Sequence, residues 1–327
     1  MMRPSAAAAV LCVLQLATAS SGRAADQPSY PTRPVRMIVP FAPGGGTDIT
    51  GRLVAQKLGE TWNVPVVIDN RPGAGSTVGE DMVAKAPPDG YTLGVTSMSH
   101  AINATLYRTL PYETMKDFAF IVLTARVPNV LVVHPAVPAK STKELVALAK
   151  SQPGRLNFSS SGVGGVSHLA AEVFCATAGI EMTHVPYKGA GPAMTALVSG
   201  EAQVMMSTVP VLLPQMKANR VRPLAISSLK RSPLLPELTT IAEAGYPGFE
   251  TDSWFGLFAP SNTPPRFLRK VNADANAVLG SADLVNALAQ QGAQPAGGSP
   301  QEFERFMQSE IEKWRHVIIK SKIPLAN

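Results

Sequence analysis

Cysteine is nearly absent from this chain of 327 residues: there are two, Cys12 and Cys175. Cys12 falls inside an N-terminal apolar run, so a chain that loses that run keeps one thiol and forms no internal disulfide. Charged residues make up 16% and aromatic residues 6% of the chain, against 45% hydrophobic. That balance suits a globular core and excludes a disordered one. No Lys/Arg run is interleaved with aromatics, so no nucleic-acid partner is expected. After the N-terminus no apolar stretch reaches about 18 residues, the length of a membrane span. His100, His134, His168, His184 and His316 show no metal-ligand spacing with cysteine or carboxylates, so no metal is assigned. Neither a Gly-x-Ser-x-Gly elbow nor a Walker-type phosphate loop occurs, and no isolated acidic pair suggests glycosidase chemistry. No catalytic residue and no cofactor are assigned. Repeats at a period of roughly 33–47 residues are also missing, which excludes a solenoid.

The length itself indicates two domains of ordinary size. At the N-terminus Arg3 precedes the apolar run Ala6–Ala17, and small residues follow it. Met1 to about Ala25 therefore reads as a secretory signal peptide. Without Arg3 and Arg23 the 29 basic residues fall to 27, against 23 acidic ones, a net charge of +4. Cys175 sits in the apolar helical pattern of Leu169, Val173 and Phe174 and reads as a packed thiol.

Short β-type runs alternate with helical patterns, which predicts an α/β fold with largely parallel sheets. Strands are expected at Val35–Pro40, Val64–Asp69, Tyr91–Thr96, Asn129–His134, Leu156–Ser160, Met182–Val185, Ala202–Ser207, Val221–Ser227 and Trp254–Phe258. Helices are expected over Ile49–Trp62, Ser76–Ala86, Ser141–Ser151, Ser167–Gly179, Ala190–Ser199 and Val211–Ala218. Three more, at Pro264–Leu279, Ala282–Gln291 and Pro300–Lys320, follow the last expected strand and must pack back on an earlier sheet. This pattern predicts two lobes with the chain crossing between them twice. Arg126-Val127-Pro128 and Tyr246-Pro247-Gly248 are the expected hinges. The boundaries are 1–25 for the signal peptide, 26–128 plus 251–327 for lobe one, and 129–250 for lobe two.

Three glycine-rich strand-to-helix turns carry the chemistry: Pro40–Asp48, Asn70–Thr77 and Ser159–His168. Glycine lets backbone approach a ligand, and a helix N-terminus offers free N–H groups and the positive end of a dipole. An anion, carboxylate or phosphate, is the expected guest. Tyr187-Lys188-Gly189 follows a strand and makes a fourth such turn. Asp48 reads first as a helix cap paired with Arg52, and second as a ligand group. His168 faces either the cleft or solvent. The candidate ligand-binding residues are Phe41, Ala42, Gly45, Thr47, Asp48, Gly73, Ala74, Ser97, Ser161, Gly164, Ser167, His168 and Tyr187. Two enzymatic alternatives remain: a Ser167/His168 nucleophile pair and a nucleotide at Gly73–Gly79.

Val39-Pro40-Phe41-Ala42-Pro43-Gly44-Gly45-Gly46-Thr47-Asp48 with Arg52 resembles the opening motif of the Bug receptors, the extracytoplasmic solute-binding proteins of tripartite tricarboxylate transporters. Asn70–Gly75, Pro88–Leu93, His184–Gly189 and Asp252–Leu257 match further blocks of that family in order. Ser76 departs from it where a glycine is usual, and Gln203 where an Asp is common. The resemblance implies a two-lobe, type II periplasmic-binding-protein-like fold with a ligand cleft between the lobes. It also implies a small carboxylated solute held by backbone amides and water rather than by an arginine clamp. Dicarboxylates, amino acids, nicotinate-like heterocycles and aromatic acids all fit. The implied partner is a two-component membrane permease, or a sensor kinase if the protein is a sensor accessory, and the receptor is expected to be a periplasmic monomer. N-terminal sequencing of periplasmic protein should find a start within Ser20–Asp26, and thiol titration should find one thiol. An intact Met1 or Met2 would refute the signal-peptide reading.

Overall fold

In chain order, one sheet receives β1 (Val35–Val39), β2 (Val66–Asn70), β3 (Thr92–Ser97) and β4 (Phe118–Val127). A second sheet receives β5 (Asn129–Val133), β6 (Asn157–Ser160), β7 (Thr183–Pro186), β8 (Val204–Thr208) and β9 (Arg222–Ile226). The chain then returns to the first sheet with β10 (Ser253–Pro260) and β11 (Gln294–Gly297). The helices are α1 (Gly46–Trp62), α2 (Thr77–Ala84), α3 (Met98–Leu106), α4 (Thr142–Ser151), α5 (Val166–Ala178), α6 (Ala190–Ser199), α7 (Val209–Lys217), α8 (Pro265–Leu279), α9 (Ala282–Gln290) and α10 (Pro300–Lys320). This computed structural model describes residues 30–320 and 323–326, so the expected signal peptide and Cys12 lie outside the described residues.

The sheets run β11-β4-β10-β3-β1-β2 and β7-β6-β8-β5-β9. Each contains one parallel triplet, β2-β1-β3 and β7-β6-β8, with the same spatial logic. All remaining pairs are antiparallel. The expectation of largely parallel sheets therefore holds for two of the five strand pairs in the first sheet and two of the four in the second. The antiparallel pairs have a physical cause: β5 and β10 each enter their lobe from the other one, so they run away from the cleft and against the neighbouring strands that end at it. β4 and α3 are additions to the expected elements. β11 corrects the expectation that three helices follow the last strand, because it adds an edge to the first sheet between α9 and α10.

The crossing between lobes is a hydrogen-bonded knot around Asn129. Its side-chain amide donates to the Thr251 carbonyl, and its Oδ1 accepts from Ser253 Oγ at 3.1 Å. Its backbone N–H reaches Ser227 Oγ at 2.8 Å, and Ser227 Oγ donates to Asp252 Oδ1 at 2.9 Å. Pro128 is thus the outgoing crossing and Thr251–Asp252 the return. The second expected hinge lies elsewhere, since Tyr246 and Phe249 pack edge-on against Phe174 in the core of lobe two.

β10 is buried at every residue and anchors α10. Trp254 and Trp314, both buried, donate their indole N–H groups to the same oxygen of buried Glu310, at 2.8 and 3.1 Å. Removing that acceptor would orphan two buried donors, each costing about 1–3 kcal/mol. Glu310→Ala should therefore lower stability by about 2–4 kcal/mol in urea denaturation, whereas Glu310→Gln, which keeps an acceptor, should lose less. Equal losses in the two variants would show that the indole bonds contribute little.

Candidate functional site

The carboxyl ends of both parallel triplets face one another, so the turns that follow them meet between the lobes. α1, α5 and α6 all start from glycine, at Gly45, Gly165 and Gly189, and none has a side-chain cap. By contrast α3, α4 and α9 are capped by the hydroxyls of Ser97, Ser141 and Ser281. The first-turn N–H groups of a helix have no intrahelical partner, and a glycine cap brings none. These starts, with Thr208 at the head of α7, surround an inner compartment of about 30 Å³. Gly45, Gly46, Thr47, Ser161, Ser167 and Phe255 complete its wall. The lobes touch there: a Cβ on Gly46 would overlap Thr208 Oγ1.

Phe41 and Ser161 also line an outer cavity of about 650 Å³, so the two spaces adjoin. Lobe one contributes Gly73–Ser76, Tyr107 and the strap Pro324–Ala326 to it, and lobe two contributes Gly162, Val163, His168, Glu172, His184, Tyr187 and Lys188. The strap is held by Ala326, whose N–H donates to Leu106 O at 2.8 Å. His184 stacks between Phe158 and His168, with ring centroids 4.8 and 4.0 Å away. Burial, with the neighbouring His168 ring adding to it, pushes His184 down to about 3, so the ring is neutral at ordinary pH.

Phe41, Gly45, Thr47, Gly73, Ala74, Ser161, Ser167, His168 and Tyr187 thus all line one space or the other. Asp48 lines neither. Its buried carboxylate accepts from Gly44 N–H at 2.9 Å, from Arg52 Nε at 3.0 Å and from Asn70 Nδ2 at 2.9 Å. It pairs with Arg52 as expected, yet the helix cap is Gly45, and Asp48 instead pins the glycine turn from inside the first helical turn. Ser97 is spent on capping α3, Ala42 abuts Gly189, and Gly164 donates to His168 Nδ1 at 3.2 Å. Tyr187 presents its ring, while its hydroxyl donates to Glu201 at 2.8 Å. Arg71 is held by Asp69 at 2.8 Å, so no arginine lines either space among the described residues.

The nucleophile-pair alternative lacks its hydrogen bond. Ser167 Oγ donates to Ser161 Oγ at 3.0 Å, while His168 Nδ1 is taken by Gly164. The nucleotide alternative loses Gly79, which lies in α2 against Pro40. Cys175 is buried, which pushes its thiol up to about 12, as expected for packing. Ser76 adopts φ +100°, a left-handed conformation that favours glycine, and its buried hydroxyl accepts from Asn103 Nδ2 at 3.1 Å. Gln203 bonds Asn157 N–H and Gly200 O, each at 3.0 Å, and so ties β6 to the turn after α6.

Glu172, His184, Tyr107, Thr208 and the Pro324–Ala326 strap were not among the sequence candidates. His184 opens the His184–Gly189 block without being singled out there, and Thr208 offers a weak local cue, a threonine two residues before Pro210 at a strand end. The depressed His184 makes a pH prediction. The unfolded ring takes up a proton near pH 6.5 that the folded ring refuses until about pH 3, so acidification through that window lowers stability. Urea midpoints of His184→Phe should fall less steeply than wild type across it. Parallel slopes would refute the assignment.

The sequence profile described as "Tripartite tricarboxylate transporter family receptor" matches residues 50–323. A protein encoded in the tcbD–tcbE intergenic region of Pseudomonas sp. (strain P51) is 40% identical over 316 residues, covering 96% of this chain and 94% of its own. Protein BugT of Bordetella pertussis is 37% identical over 313 residues, covering 94% and 96%. Among solved structures, an R. palustris protein with adipate superposes with a TM-score of 0.88 at 40% identity, covering 90% of this chain and 99% of that one. MatC from Rhodopseudomonas palustris with bound malate gives 0.84 at 33% identity, covering 88% and 100%. This chain belongs to the tripartite tricarboxylate transporter receptor family, the Bug receptors.

Proposed function

We propose that this protein is a periplasmic receptor that captures a small carboxylate by lobe closure and hands it to a two-component membrane permease. One observation carries the reading: three helices from two lobes, each started by a bare glycine, point their N-termini into the same compartment. Unsatisfied N–H groups and the positive ends of helix dipoles favour an anion there. An anion that bonds to both lobes stabilises the arrangement in which they meet, and differential affinity of that kind is what drives closure. The R. palustris relatives solved with adipate and malate support the carboxylate class.

Gly45 supplies the test. Its backbone, φ −81° and ψ 162°, is ordinary for a helix cap, and a Cβ would have no atom closer than 3.7 Å. Gly45→Asp should therefore fold, cap α1 with its own carboxylate and compete with the solute. Calorimetry with adipate and malate should show binding to wild type and a loss of about tenfold or more in the variant. Unchanged affinity in a folded Gly45→Asp protein would remove the anion from these helix starts. Small-angle scattering on the wild type should give a smaller radius of gyration with solute.

A further inference from the structure

Thr208 is 4% exposed, yet among the described residues its hydroxyl has no hydrogen-bond partner. Other buried oxygens share that condition, among them those of Ser159 and Thr96, but of these Thr208 is the one that lines the inner compartment. A threonine at a helix cap ordinarily turns its oxygen back to a first-turn N–H. Here the backbone has the usual cap geometry, φ −66° and ψ 148°, without that bond. Nearby donors are scarce: Val209 N–H is taken by Pro128 O at 3.2 Å, and Pro210 has none. α7 therefore starts at the compartment with a hydroxyl on its cap residue, where α1, α5 and α6 start from glycine. Opposite it stands Gly46, whose missing side chain leaves the hydroxyl its space.

We infer that Thr208 is a solute-binding residue of lobe two, donating its hydroxyl to a carboxylate oxygen that also faces the start of α1. The inference rests on the proposed function and deepens it. A compartment of about 30 Å³ holds one water-sized group, so the solute enters it with one acid oxygen and leaves its body in the outer cavity. A buried hydroxyl without a partner lowers the stability of the empty protein, and the bound acid restores the missing bond. Function and stability then pull in opposite directions at this residue.

Thr208→Val removes the hydroxyl at constant shape, and Thr208→Ser keeps it. Without solute, Thr208→Val should unfold at a higher urea concentration than wild type. In calorimetry with adipate and with malate it should bind about tenfold or more weakly, while Thr208→Ser stays within a few-fold of wild type. Weaker binding together with a lower midpoint would show that the hydroxyl has a structural partner, and would overturn the inference. Wild-type affinity in Thr208→Val alongside lost affinity in Gly45→Asp would also overturn it, leaving the carboxylate reading intact. A wild-type protein that binds no member of a panel of mono- and dicarboxylates would sink both.

Discussion

Every α-helix begins with backbone N–H groups that the helix cannot satisfy, and this fold is arranged around where those groups are left open. In α3, α4 and α9 a serine closes the end, at Ser97, Ser141 and Ser281. In α1, α5 and α6, which start between the lobes, glycine stands at the cap and leaves the donors bare. The paired parallel triplets serve this arrangement, because parallel strands put all their following helices on one edge. Buried Asp48 serves it too, holding the first glycine turn from behind without entering the cleft.

Much of this is legible in the sequence, for reasons that differ along the chain. Gly44–Gly46, Gly73–Gly75 and Gly162–Gly165 are conspicuous as residues, and their position between an apolar run and an amphipathic one fixes their place at a strand end. α6 and α10 fall where their patterns put them. Thr208 escapes because its turn carries no glycine, and its role depends on a residue more than 150 positions away in the chain. The same holds for the strap at Pro324–Ala326, which reaches the cavity only by lying beside the end of α3. Asp48 shows the reverse case: its pairing with Arg52 is local and readable, whereas its bond from Asn70 needs β2 beside β1.

The antiparallel strands were harder to read because periodicity describes single segments rather than their neighbours. β4 gives no sign that β10 and β11 will flank it. Ser76 illustrates a different limit. Its left-handed backbone costs about 1–3 kcal/mol for a residue with a side chain, and the bond from Asn103, on another helix, helps to hold the residue there, alongside its own N–H to Gly73 O.

The knot at Asn129 has a mechanical meaning. One side-chain amide grips the incoming and outgoing strands within a few ångströms, leaving little slack for sliding or shear. What such a joint leaves free is rotation about a short line through the two crossings. Small displacements at the pivot then become large ones at the far rim of the cleft, where the turns meet. A solute of few atoms thereby gains leverage over a body many times its size.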